Sequence, residues 1–203
     1  DFVAWHYPGY PDEMKKSMAW LHKASGLAGM QTPAAVITEW NAGHGAGGGI
    51  WTETLESLDI IRGMAASGAE AAFYYASGSL IQTDSATITP LGTAFRHLAT
   101  LQGRRIKCET TTGTGAIATL EADGSIRVLF WSQTGEHQRI SIRLGEGADR
   151  EALPSYSLSL YQENTPSLTY NASTEQGGVI SVMLPEGGRR MGSVVFHTGA
   201  PTP

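Results

Sequence analysis

The chain is short of cysteine, of lysine, of charge and of long apolar runs, and each shortage removes a class of protein. A single cysteine, Cys108, in 203 residues leaves no internal disulfide and no multi-cysteine metal site. Four of the 14 basic residues are lysine and the net charge is −5, so there is no basic footprint for nucleic acid or for an anionic membrane surface. No stretch approaches the ~20 apolar residues that span a bilayer, and the N-terminus carries no basic segment followed by an apolar one. The six histidines, at 6, 22, 44, 97, 137 and 197, have no metal-ligand spacing. No G-x-S-x-G occurs, so there is no nucleophile elbow. The sequence therefore calls for no metal and no cofactor, for neither nucleic acid nor membrane as partner, and it marks no compartment.

What is abundant is glycine and apolar surface. The 25 glycines exceed the usual share of about 7% and gather at turns, while 41% apolar content is enough to bury a core. Residues 1–103 alternate apolar runs with helical patterns. Residues 2–6 read as a strand, and the segment from Pro11 as a helix with Met14, Met18 and Leu21 on one face. Residues 34–40 form a second strand, 50–66 a helix with Leu55, Leu58, Ile60 and Ile61 inward, 71–75 a third strand, and 90–101 a helix carrying Leu91, Phe95 and Leu98. Parallel strands joined by helices indicate an α/β sheet or barrel. The strand ends near His6, Glu39 and Tyr75 are 33 and 36 residues apart, close to one-eighth of a ~250-residue (β/α)8 barrel. Three units are present where eight are needed. From residue 104 to 203 the texture is β, with eight short runs separated by turn signals such as Asp123-Gly124 and Gly177-Gly178. Period-two alternation is clean at Ile140, Ile142 and Leu144, and at Tyr156, Leu158 and Leu160. This half is expected to be an antiparallel β-sandwich.

Glu39 is the leading candidate for chemistry. It ends a strand beside Trp40 and Asn41, where α/β barrels place reacting groups; the competing interpretation is a solvated end-of-strand acid. A carboxylate beside aromatic rings suits sugar chemistry, because an oxocarbenium-like centre needs an anion on one face and pyranose rings stack on aromatic ones. His6, with Trp5, Tyr7 and Tyr10, forms a second cluster at the same sheet end, able to hold a carboxylate ionised and aimed by hydrogen bonds. Of Tyr74 and Tyr75, one should face the barrel and the other its helix, and Tyr75 is the one expected at the site. Residues 43–48 satisfy G-x-G-x-x-G, but the next strand ends without the ribose-binding acid. The glycines are better taken as a loop bordering the cleft, with His44 and Trp51 as substrate contacts.

The order Asp-Phe-Val-Ala-Trp-His-Tyr, then Ile-Thr-Glu-Trp-Asn, then Phe-Tyr-Tyr, then a helix leading into β-structure resembles the C-terminal part of a clan A retaining glycoside hydrolase. The likeness is greatest to family 39, the β-xylosidase group, with families 51 and 30 behind it. The resemblance implies that the three strands are the sixth, seventh and eighth of a (β/α)8 barrel and that Glu39 is the nucleophile. It also implies an acid/base glutamate after an asparagine on the fourth strand, which lies outside this sequence. Pro8 follows His6-Tyr7, so the tyrosine that contacts the nucleophile is Tyr7 or Tyr10. The eighth-strand tryptophan common in the clan is represented by Tyr75 or missing.

The expectation is thus the C-terminal portion of a retaining O-glycosidase acting on a glycoside or oligosaccharide, with Glu39 as nucleophile and His6, Tyr7, Tyr10, Trp40, Asn41, His44, Trp51 and Tyr75 around the substrate. The opening in mid-strand without Met suggests a chain that begins inside a larger protein. Alone it should be inactive, its barrel being completed by the N-terminal part of the same enzyme or by another copy. The rival from a different class is a non-catalytic carbohydrate-binding or assembly module built on the sandwich. That rival needs exposed aromatics, and residues 104–203 offer Trp131, Tyr156, Tyr161, Tyr170, Phe130 and Phe196, several at core positions of the alternation.

Overall fold

The computed structural model describes residues 2–7, 11–42, 49–75, 79–82, 84–133, 139–145, 153–174, 179–183 and 187–199, with only the backbone for 7, 11 and 12. The chain is mixed α/β and mostly sheet, with three helices among the described residues. It divides into two compact units, 1–94 and 95–203.

The first unit runs β1 (Phe2–Tyr7), α1 (Pro11–Leu27), β2 (Ala34–Trp40), α2 (Gly49–Ser67) and β3 (Ala69–Tyr74). The three strands form one parallel sheet in the order β1-β2-β3. The apolar periodicity of the helices becomes their buried faces: Met14, Met18 and Leu21 on α1, and Leu55, Leu58, Ile60 and Met64 on α2. Gly68 at φ +86 ends α2, a left-handed cap that only glycine adopts cheaply. It lets β3 start at Ala69, two residues earlier than the apolar run predicts. A small hairpin of β4 (Ile81–Gln82) and β5 (Thr87–Ile88) follows β3, too short to leave a period. Next, Thr89 caps α3 (Pro90–Leu98), its hydroxyl accepting from the Gly92 N–H at 3.0 Å; Pro90 occupies the first helical position, where no N–H is needed.

The second unit contains β6 (Arg104–Ile106), β7 (Thr114–Leu120), β8 (Ile126–Ser132), β9 (Arg139–Arg143), β10 (Ser155–Gln162), β11 (Thr165–Ser173), β12 (Val179–Met183) and β13 (Arg190–His197). Each of the eight runs expected from alternation has its strand. Six of them make an antiparallel sheet in the order β11-β10-β13-β8-β7-β6, and β9 pairs with β12 in a second sheet. The core lies between the two sheets: Val128, Phe130, Leu158, Leu160, Val194 and Phe196 on one side, and Ile140, Ile142, Ile180 and Val182 on the other. The opposite face of the large sheet is buried as well at Leu129, Trp131 and Met191. Trp131 lies over Gly115 of β7, where an added Cβ would collide with the indole.

In the last turn of α3, His97 Nε2 is 3.1 Å from the Tyr161 hydroxyl of β10. A helix C-terminus favours a charged imidazole, yet burial, and after it the neighbouring Arg96, holds His97 below its ordinary value. A pKa depressed on folding contributes stability above the unfolded value of about 6.5 and loses it as pH falls through the folded value. His97 should therefore titrate by proton NMR with a midpoint below about 6.5. The melting temperature should fall between pH 7 and pH 5, and His97→Gln should flatten that fall.

Candidate functional site

Three strand ends meet at the carboxyl edge of the parallel sheet. In register, His6 lies opposite Glu39 and Tyr7 opposite Trp40, while Trp40 lies opposite Tyr74. The Tyr75 N–H donates to the Trp40 carbonyl at 2.8 Å. Before this edge the pairing is interrupted. β1 advances one residue, from Trp5 to His6, while β2 advances two, from Ile37 to Glu39. Against β3, β2 again carries one residue too many, with Ile37 opposite Ala72 and Trp40 opposite Tyr74. β2 therefore bulges at residues 38 and 39.

The bulge decides where Glu39 points. Ala35 and Ile37 are fully buried, and strict alternation places Glu39 on their face. The extra residue reverses the parity: Trp40, at 2% exposure, takes the buried side, and Glu39 turns to the opposite, open face together with His6. The distances agree. His6 Nδ1 lies 3.7 Å from Glu39 Oε2 and 3.3 Å from Thr38 Oγ1, so both bulge side chains stand on the imidazole's side. With side chains 74% and 46% exposed, the pair is solvated; in this setting such a contact is worth about 0–1 kcal/mol. The open face also carries Phe73, 60% exposed, which the sequence did not single out.

The buried side holds a second arrangement. Tyr74 packs edge-on against Trp40, ring centroids 4.9 Å apart at 76°, and its hydroxyl donates to Glu53 Oε1 of α2 at 2.7 Å. Burial, then the Glu53 carboxylate as acceptor and as charge, pushes the phenol far above its usual range, with Ser79 and Ser57 pulling the other way. A raised phenol pKa stabilises the fold below the unfolded value of about 10 and loses that contribution as pH rises past it. An alkaline titration at 295 nm should leave one tyrosine unionised until the chain unfolds, and Tyr74→Phe should remove that late component.

The remaining candidates divide. Asn41 is half-buried, with its Oδ1 enclosed and no hydrogen-bond partner for it among the described residues. Trp51 is half-buried in the first turn of α2, and Tyr75, just beyond β3, is 59% exposed. Tyr10 and His44 lie outside the described residues, as does the side chain of Tyr7. Glu53 and Tyr74 were missed as a pair because an acid on a helix and a tyrosine 21 positions later share no local pattern. The described residues contain no group of three or more His, Cys, Asp or Glu able to hold a metal. They bring one carboxylate, Glu39, to the open face at this edge. In the second unit Phe130, Trp131 and Phe196 are core, and Tyr170 is its one exposed large aromatic among the described residues.

No protein-family model matches the chain, and no curated protein matches it by sequence. Solved structures do share its fold. A monomeric β-xylosidase from Caulobacter crescentus superposes with a TM-score of 0.70 at 11% identity, over 98% of this chain and 56% of that one. A GH30 endoxylanase from Clostridium papyrosolvens has a TM-score of 0.65 at 14% identity, over 97% and 49%. A bifunctional glucanase-xylanase from a metagenome library has 0.63 at 15% identity, over 90% and 34%. The chain thus has a fold found in glycoside hydrolases and spans about a third to just over half of their length.

Proposed function

We propose that this chain is the C-terminal, nucleophile-bearing portion of a retaining glycoside hydrolase. β1, β2 and β3 would be the sixth to eighth strands of a (β/α)8 barrel within residues 1–103, followed by a β-sandwich over residues 104–203. The observation that carries the reading is the bulge in β2, which turns Glu39 out beside His6 at the carboxyl edge of a parallel sheet. That is the edge where barrel enzymes assemble their sites. The unpaired outer edges of β1 and β3 among the described residues add support, because a three-stranded parallel sheet with an open apolar face calls for further strands. The partner is then the N-terminal part of the same enzyme, or another copy completing the barrel.

In the completed barrel, the Glu39 carboxylate attacks the anomeric carbon as the glycosidic C–O bond breaks. A glutamate from outside this sequence protonates the departing oxygen. The same glutamate then takes a proton from water, which hydrolyses the glycosyl ester and frees Glu39. His6 holds the carboxylate in its aimed direction. Asn41, Tyr75, Trp51, His44 and Tyr7 or Tyr10 surround the sugar, whereas Trp40 acts through its packing. The neighbours' substrates make xylosides and glucosides the first to try.

The test is covalent trapping. An activated 2-deoxy-2-fluoro xyloside or glucoside, incubated with the chain in its complete barrel, should add one fluoroglycosyl mass to the tryptic peptide 24–62, with fragment ions placing it on Glu39. A label on a different carboxylate, with substrate still turned over, would remove Glu39 from this role.

A further inference from the structure

Tyr74 joins three elements. Its ring closes on Trp40 of β2, its hydroxyl is bonded to Glu53 near the start of α2, and its backbone ends β3. The following residue ties the same strand ends together through the Tyr75 N–H and the Trp40 carbonyl. These contacts matter because the direction of Glu39 depends on Trp40. A strand's side chains alternate with period two, so a one-residue change in register exchanges the faces of everything beyond it. In β2 the extra residue goes together with Trp40 on the buried side. If Trp40 is released, the strand end can return to regular alternation, which sends Glu39 towards the helices and Trp40 to the open face. Tyr74 stands beside the indole, and the hydrogen bond from its hydroxyl to Glu53 fixes the ring there.

We propose that Glu53 and Tyr74 are positioning residues: their hydrogen bond clamps Trp40 on the helix-packed face and so keeps Glu39 aimed out of it. The clamp is a statement about geometry; its catalytic consequence rests on Glu39 being the nucleophile. The phenol stays protonated, and thus a donor, across the neutral range, in keeping with its burial beside a carboxylate.

Two measurements test the proposal, one of them free of substrate. Amide hydrogen exchange in the chain should show Tyr75 and residues 37–41 exchanging at least tenfold faster in Tyr74→Phe, with residues 104–203 unchanged. Glu53→Ala should do the same, whereas Glu53→Gln, whose amide oxygen still accepts from the hydroxyl, should stay within threefold of the parent. In the completed barrel, Tyr74→Phe should lower kcat at least tenfold with KM within threefold, and Glu53→Gln should preserve kcat. Parent-like exchange in Tyr74→Phe overturns the clamp, as does a Glu53→Gln variant as fast-exchanging as Tyr74→Phe. Accelerated exchange in a barrel that never cleaves a glycoside keeps the clamp and removes only the glycosidase reading. Parent-like exchange with Glu39-dependent turnover does the reverse.

Discussion

Glu39→Gln in the completed barrel is expected to lower glycosidase turnover by at least about 10³-fold, measured as release of an aryl leaving group, on the scale seen when other nucleophiles are removed. The amide keeps the size of the side chain and leaves the His6–Thr38 hydrogen bond in place, but it does not form the glycosyl ester. Because Glu39 is part-exposed and its contact with His6 contributes little to folding, the melting temperature should hardly move; an exposed substitution of this kind stays within about 0.5 kcal/mol. That separation of rate from stability distinguishes a reacting group from a structural one. Near-parental turnover in Glu39→Gln would exclude the nucleophile role, whatever the fold of its neighbours. In Glu39→Ala, added azide should enter the space the carboxylate leaves and restore part of the rate, giving a glycosyl azide of inverted configuration.

The largest effect on stability is expected at Trp131. It is 1% exposed, and truncation to alanine should cost about 3–5 kcal/mol. In a unit of this size that lowers the melting temperature by more than about 10 °C. The complementary change, Gly115→Ala, tests how tightly the ring is held. Glycine to alanine in a strand ordinarily helps by about 0.4–1 kcal/mol through the unfolded chain, but here the new methyl meets the indole, and overpacking of a fixed ring costs about 1–3 kcal/mol. The collision wins, so Gly115→Ala should melt lower than the parent. In a Trp131→Leu background the same substitution should cost less, giving a non-additivity of about 0.5–3 kcal/mol in calorimetric unfolding. Additive effects would mean that the ring relaxes away from β7 without strain.

How much of this was legible from residues alone follows the range of each interaction. The eight strand runs of the second half stand because alternation is local and the runs are separated by turn residues, glycine at most of the breaks and Asn164, at φ +60, between β10 and β11. The paired sheets bury Leu158 and Leu160 as the pattern implies. The helix of 90–101 ends instead at Leu98, since the Thr100 and Leu101 N–H groups turn back to the His97 and Leu98 carbonyls three residues away, a tightened last turn that apolar spacing does not reveal. At the candidate site, the approach of His6 to Glu39 was legible because both end strands that a βαβ connection makes adjacent and parallel. Strand position alone favours Tyr75 over Tyr74 for the site. Tyr75 is exposed beyond β3, whereas Tyr74, left out of the expected site, holds Glu53 and Trp40.

The sequence by itself determined the order of the longer elements, the parallel sheet giving way to antiparallel ones, and the carboxylate at the end of the second strand, because periodicity, turn residues and chain connectivity act over a few residues at a time. Only the tertiary structure decided which way that carboxylate points. Alternation from Ala35 and Ile37 would put Glu39 against the helices; the bulge that reverses it exists only in the register of β2 against both its neighbours. Register is a property of strands more than 30 residues apart in the chain, and Trp40, on the buried side of the bulge, packs against a tyrosine that no local pattern connects to it.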